Sequence, residues 1–489
     1  MGRLEIVLAL LGSLLATLLV ALLVGAFAKE QEQDFLPGQP GERVRGSGGS
    51  VEVWNEDFKQ LQVSEGTPFR QQQATPLNLP EAHVAAALIT VQSQFLELPL
   101  YANSPQAYYV LKGEAMAGLI SPMGAPTNLR RLREGDAFAI PRGWARWIWN
   151  NGQQPFQVLS VADTSHAANT SKGAPSAAGR YTAFHLMGAH KENFGSILHG
   201  FSHDLMAQAW DVEEGEVQQL LQAQQESVFV KVTPQLRAEL ENYGEEDEEE
   251  NENEKETENG NENGNEEEEE EAEEAEENER EEEEAYGGND QPQFGKGAKP
   301  GVSIFADFSY NLKARQPDIY VKRGGTVTAA NGYKLPAFRK VGFAVARFSL
   351  EGNAMTAPAW LANAAAMVYV TKGKGRVEMV YLDGRQALRH DVKEGDLVVM
   401  PAGFPHSALA YGEGLECIAM IPKSRFQQGF LAGTNSVWRT LPASVQRAAF
   451  NADEKLLEKL RATRQSEFGI LPPRKSKGEE EGEEIVCAH

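Results

Sequence analysis

Nine histidines and two cysteines are the residues with which this chain could hold a metal or move protons. A neutral imidazole offers a lone pair to a divalent ion, and a thiolate does so for softer metals. Such a site needs three or more converging protein donors. His83, His166, His185, His190, His199, His203, His390 and His489 show no ligand spacing and are assigned to structure or surface. His406 is set apart by its place. It closes the run Glu394-Gly395-Asp396-Leu397-Val398-Val399-Met400-Pro401-Ala402-Gly403-Phe404-Pro405-His406, which reads as a tight turn, a buried strand and a second turn. A single imidazole is a poor metal site and is more often hydrogen-bonded or solvated. Cys417, in the apolar strand Leu415–Ile421, reads as a buried thiol, and Cys487 lies in a polar tail. A bond between them stays open, but no disulfide framework is visible.

The element that carries His406 occurs twice. Glu134-Gly135-Asp136-Ala137-Phe138-Ala139-Ile140-Pro141-Arg142-Gly143 repeats it at a distance of 260 positions. Gly113, ending Tyr109-Val110-Leu111-Lys112-Gly113, and Gly373, ending Tyr369-Val370-Thr371-Lys372-Gly373, share that offset. A constant offset over several turn residues identifies two copies of one β domain. With 489 residues there is room for both, each with a core of its own.

The net charge of −24 is local. Residues 241–284 hold 27 acidic and two basic residues, so the rest of the chain sums to +1. No basic stripe points to nucleic acid. At the N-terminus, Arg3 precedes the apolar run Ile6–Val24, and Ala26-Phe27-Ala28 fits a small-x-small cleavage site. Residues 1–28 read as a signal peptide, with a retained membrane anchor as the rival; after cleavage no membrane segment is expected. Residues 29–50 form a flexible arm.

The first domain spans 51–240. Strands are expected over Ala85–Val91, Ala107–Lys112, Ala115–Ile120, Trp144–Trp149 and Gln157–Ala162, with Leu98–Gln106 as connecting chain. Many short strands between turns indicate a sandwich or barrel. The loop Asp163–Arg180 holds the sequon Asn169-Thr170-Ser171, either glycosylated or a surface marker only. A helical pattern follows: Ser202 caps His203–Trp210, and Glu213–Gln224 continues, with Leu205, Met206, Trp210 and Val217 on apolar faces. The second copy repeats this arm, with Ser444 capping Val445–Phe450 and Leu456, Leu457 and Leu460 in Ala452–Arg464. These stripes pack on their own barrel or on a neighbouring subunit. Residues 241–300 cannot bury enough apolar surface to order themselves and read as a disordered linker. Asn259-Gly260 and Asn263-Gly264 within it suit processing proteases. The second domain covers 301–470, and 471–489 is a loose tail.

Strand, Gly, strand and Gly-Asp-x4-Pro-x-Gly resemble the two motifs of cupins, small jelly-roll barrels. Cupin enzymes bind a metal in the barrel mouth through H-x-H, a Glu and a second-motif His. On this chain Gln106 stands at the Glu position and Arg146 at the second-motif His; Ala366 and His406 stand at the matching places of the second copy. Neither Pro99–Ala102 nor Pro358–Ala362 supplies a histidine. The resemblance therefore implies degenerate sites, with no metal and no cofactor.

Leu98-Pro99-Leu100-Tyr101-Ala102-Asn103-Ser104-Pro105-Gln106-Ala107-Tyr108-Tyr109 resembles the first barrel of legumin-type seed storage globulins. Gly48-Gly49-Ser50-Val51-Glu52-Val53-Trp54-Asn55, Ile197-Leu198-His199-Gly200-Phe201, Pro317-Asp318-Ile319-Tyr320 and Leu431-Ala432-Gly433-Thr434-Asn435-Ser436-Val437 are similar to other segments of that family. The chain departs where legumins are cut, carrying Pro300-Gly301, and lacks the cysteines that join their halves. The resemblance implies an all-β fold with helical arms: two tandem jelly-roll cupin barrels, each followed by a short helix pair. It implies a seed or spore nutrient reservoir, not an enzyme, assembled as a homotrimer with a hexamer as the alternative. The arm residues Leu205, Met206, Trp210, Val217, Leu456, Leu457 and Leu460 would bridge subunits. Protein storage vacuole or protein body is the expected destination, with the extracellular space as runner-up, and processing and mobilising proteases are the expected partners. A metal-dependent oxidase or dismutase of germin type, and a small-ligand-binding bicupin, are the competing readings.

Overall fold

The computed structural model describes residues 52–54, 77–79, 83–122, 129–165, 181–189, 195–226, 228–242, 309–381 and 383–474. The expected leader and N-terminal arm, Asn169, most of the acidic linker, and the tail from 475 with Cys487 lie outside the described residues.

Two barrels stand in tandem, built from antiparallel ladders. In the first, one sheet is ordered Asp136–Ile140, Gln106–Lys112, Phe156–Asp163, Val84–Val91 and Leu77–Leu79. The facing sheet is ordered Ala183–His185, Phe95–Ala102, Ala145–Trp149, Glu114–Ile120 and Arg130–Arg133. Alternate side chains from both sheets point inward and make the barrel core.

In the second barrel two long strands, Ala366–Val380 and His406–Ile421, bend from one sheet into the other. Its ladders therefore connect as one continuous sheet. The bends lie at Gly373 and Gly375, where the register between the two strands shifts. Gly113 is the first-barrel counterpart, and there the ladder breaks into separate strands. Gly113 has φ of +82° and Gly373 of +83°. A Cβ would lie 2.6 Å from the Pro155 carbonyl oxygen in the first case and 2.2 Å from that of Gly414 in the second. Backbone angle and close approach both exclude a side chain, which explains why the repeat keeps glycine at these two places.

The halves exchange strands. Ser309–Asn311, from the start of the second half, pairs with Asp136–Ile140 and completes a first-barrel sheet. Glu52–Trp54, from the start of the first half, pairs with Leu397–Met400 of the second barrel. The two edge strands at the repeated Gly-Asp element are thus each covered by the other half. Asn311 clamps one exchange: its side-chain amide donates to Asp136 Oδ1 at 2.8 Å, while Arg133 N–H donates to Asp136 Oδ2 at 2.7 Å.

The barrels also share a core. Tyr109, Ala137 and Ala139 from the first join Val345, Met367, Val399, Ile418 and Met420 from the second in one apolar cluster. Between them lies a short helix, Pro336–Val341, which inserts Ala337, Phe338 and Val341. Proline begins it and Gly342 ends it in the left-handed region, a helix punctuated at both ends. This packing is why Leu397–Met400 is buried throughout.

Two sequence expectations need correction. Phe95–Ala102 is a strand, where Leu98–Gln106 was expected to be connecting chain. Its ladder with Ala145–Trp149 shifts register between Glu97 and Leu100, so no bond is asked of the missing Pro99 N–H. Ser444 is not a cap: Pro442 holds the N-cap of Ala443–Phe450, and the following helix runs Glu454–Ala462 from an Asp453 cap.

Gly373→Ala should cost at least about 2 kcal/mol through strain and the clash with Gly414. Gly403→Ala, with φ of +81° but no atom within 4 Å, should cost about 1 kcal/mol. Urea unfolding of the two variants checks the ranking, and equal midpoints would refute it.

Candidate functional site

The two barrel mouths are the places where cupin chemistry would sit, and each is filled differently. In the first, alternation along Gln106–Lys112 brings Gln106 and Tyr108 to the interior, Ala145–Trp149 brings Arg146, and Phe156–Asp163 brings Ser160. Gln106 donates to Ser160 Oγ at 3.3 Å and to Tyr181 Oη at 3.0 Å. Arg146 donates from Nε to Tyr108 Oη at 3.1 Å, with its guanidinium 5.4 Å from the Tyr108 ring centroid. Its Nη1 is paired with Glu97 Oε2. Arg146 is 3% exposed and Glu97 1%, so this is a fully buried ion pair.

Glu97 is the residue that sequence reasoning missed. Its only local signal is a carboxylate in the inward register of an apolar strand, Phe95-Leu96-Glu97-Leu98. Burial by itself would favour a neutral guanidine at Arg146, but the Glu97 carboxylate pulls the other way and Arg146 is held charged. Burial raises the Tyr108 hydroxyl above its ordinary value and does the same for Tyr181, so both phenols are neutral donors or acceptors. His185 is pushed below the imidazole range by burial; Glu97 opposes this and Arg146 reinforces it.

The second mouth is apolar. Ala366 is buried, and Leu361, Met379, Met400 and Phe404 belong to the core around it. His406 lies opposite Met379 and Ala359 across its two ladders. Its Nδ1 is 2.9 Å from the Phe404 carbonyl oxygen. Burial lowers its pKa, and the Phe404 carbonyl opposes that shift only in part.

Neither mouth fits a metal. In the first, the inward carboxylate found among the described residues, Glu97, is neutralised by a guanidinium that cannot coordinate. In the second a lone imidazole faces methyl and thioether groups. Among the described residues no group of three or more His, Cys, Asp or Glu side chains is arranged to hold an ion. Cys417 is buried and its thiol is pushed up to about 12 by burial, with Glu416 adding to the shift, so it is an inert core residue.

The helical arms repeat at an offset of 240, and so does their burial. Val217 and Leu457 are 1% and 2% exposed, while Leu220 and Leu460 are both 58% exposed. In the first arm, Met206, Ala207, Val217 and Leu221 pack together across His203–Trp210 and Glu214–Ala223. Glu213 and Glu216 form a reciprocal capping box at the start of the second helix. This corrects the assignment of subunit-contact residues: Met206, Val217 and Leu457 are buried within their own subunit. Leu205, Trp210, Leu456 and Leu460 remain exposed, joined by Leu220, Val445 and Phe450.

Arg146→Ala leaves Glu97 as a buried, uncompensated charge and should destabilise the protein by about 3–5 kcal/mol. Arg146→Met combined with Glu97→Gln should recover most of that loss in urea unfolding; a double variant as unstable as the single one refutes the pairing. His406 carries a second prediction. Its folded pKa is depressed, so the unfolded chain takes up the proton first as pH falls through about 6.5. His406 therefore contributes a loss of stability below that pH, until its folded pKa is reached. His406→Gln should flatten stability against pH between about pH 7 and pH 5, and an unchanged slope refutes the assignment.

Two segments, residues 58–179 and 310–457, match the cupin family. The 11S globulin seed storage protein Ana o 2.0101 of Anacardium occidentale is 27% identical over 87% of this chain and 89% of its own length. Cocosin 1 of Cocos nucifera is 25% identical, covering 89% and 87%. Among solved structures, the recombinant pro-11S globulin of pumpkin superposes with a TM-score of 0.63 at 21% identity, over 91% of this chain and all of that one. With both barrels matched, the chain belongs to the cupin family as a bicupin, and along most of its length it is similar to 11S seed storage globulins.

Proposed function

We propose that this protein is a storage globulin, a reservoir of nitrogen and amino acids held as an assembled, non-catalytic particle. The observation that carries the reading is the state of the two mouths. One is closed by the Glu97–Arg146 pair and its tyrosines, the other by Ala366, Met379 and Phe404 around His406. The positions where a cupin enzyme would coordinate an ion serve packing and stability instead. A germin-type oxidase or dismutase would need donors that neither mouth presents.

Assembly follows from the arms. Each half exposes large apolar side chains on a short helix pair, Leu205, Trp210 and Leu220 in one, Val445, Leu456 and Leu460 in the other. Two equivalent faces on one subunit suit a closed ring in which the first arm of one copy meets the second arm of the next. The ring we propose is a homotrimer, in which six barrels would be arranged around one axis. Storage vacuole or protein body is the destination, reached through the secretory pathway, and proteases release the store.

The reading is tested in the tissue and in the tube. The protein should rank among the most abundant of its reserve tissue during deposition and disappear on mobilisation; a constant trace level would overturn it. Leu205→Glu with Leu460→Glu should shift the native mass from a multimer to a single chain, measured by native mass spectrometry. Unchanged mass would remove the arms from the assembly.

A further inference from the structure

Residues 241–284 carry a net charge of −25. The rest of the chain sums to about neutral, but its charge is unevenly placed. Between Ser309 and Arg347 it carries eight Lys or Arg and a single acid, Asp318.

Contacts show that part of this stretch makes one surface. The Arg315 guanidinium lies 5.2 Å and Lys334 Nζ 5.5 Å from the Tyr310 ring centroid. Next to Lys334, Tyr333 is 76% exposed and carries Arg425 at 5.5 Å from its ring. Gly332 completes the link, because a Cβ there would fall 2.8 Å from Arg339 Cβ. Arg339 and Lys340 are exposed in the last turn of the short helix. Lys313, paired with Glu134, borders the surface, and Asp318 is paired with Lys334. Six cations and two carboxylates are thus named on this surface, and it is predominantly basic. Rings that seat a guanidinium hold it in place for an anion.

We propose that this basic surface is the docking site of the chain's own acidic run, residues 241–284. Charge complementarity is one argument: the run carries −25. Tethering is the other. Only residues 285–308 separate the run from Ser309, where the surface begins. A random-coil chain of that length would have a root-mean-square span of about 25–30 Å. The run is thereby kept near the surface at an effective concentration in the millimolar range, well above that of any free polyanion. Many weak Glu–Arg contacts then add without a unique bound conformation, and they weaken as salt shortens the screening length. The docked run is shielded from proteases, so the segment most open to cutting is protected until ionic conditions release it.

The test digests the full-length protein with a glutamate-specific protease and compares it with a synthetic peptide of residues 241–284 at each salt concentration. The peptide corrects for the effect of salt on the protease. At about 20 mM salt, where screening is weak, cleavage within the run should be about tenfold slower than in the peptide, as for a segment docked nine-tenths of the time. The difference should vanish at about 0.5 M salt. Arg315→Glu with Arg339→Glu and Lys340→Glu should abolish protection at low salt while thermal unfolding stays at the wild-type midpoint. If that variant does not fold, the salt series on the wild-type protein still decides. Equal cleavage of protein and peptide at low salt overturns the proposal. So does protection that survives in the folded variant. Protection that appears only as protein concentration rises overturns the intramolecular docking and assigns the surface to the run of a second copy.

Discussion

A sheet that is apolar on both faces must be covered on both, and this requirement organises the molecule. Strands such as Asp136–Ile140 and Leu397–Met400 bury one set of side chains inside a barrel and the other set outside it. The outer set of each barrel is covered by the other barrel, with Phe338 wedged between them. At roughly 25 cal/mol per Å² of apolar surface, a contact of this kind stabilises both halves together. Neither barrel is a closed unit on its own, so the tandem is one cooperative body rather than two beads on a string.

The same logic accounts for the first mouth. An interior position that no longer serves an ion must be filled with packed carbon or with a polar group whose partners are built in. Arg146 takes the second course. Its charge is tolerable because Glu97 faces it from the neighbouring strand of its own sheet and Tyr108 from the facing sheet, so the Arg146–Tyr108 hydrogen bond also ties the two sheets together. The second mouth takes the first course, with alanine and methionine in place of donors. Equivalent positions in two copies of one domain are filled by opposite physical means. Charged strands at the open sheet edges, Arg130–Arg133 and Gln386–Lys393, add protection against edge-to-edge pairing at high concentration.

Much of this was legible in the sequence because backbone constraints repeat more faithfully than side chains. The glycines at 113 and 373 mark the duplication through positive φ and close contacts, independent of what surrounds them. The strand Leu397–Met400 was readable from its lack of polar residues. The arm helices were visible from their apolar spacing, but spacing does not tell which of two apolar stripes faces inward, hence the inversion at Met206, Val217 and Leu457. Glu97 was hidden because its partner lies 49 positions away, and a carboxylate without a visible partner reads as surface. The strand Phe95–Ala102 was hidden by Pro99, whose effect on the ladder is absorbed by a register shift that only the paired strand reveals. The strand exchange left no local signature.

That exchange has a consequence for biogenesis. The edge of Asp136–Ile140 gains its neighbour only when Ser309–Asn311 has left the ribosome, almost 170 residues later. At about 5–20 residues per second, the nascent first barrel keeps an unpaired edge and a bare apolar flank for roughly ten to thirty seconds. Over that interval the incomplete sheet is a template for pairing with other nascent chains. The longer the insertion between the halves, the longer a chaperone must stand in for the missing strand.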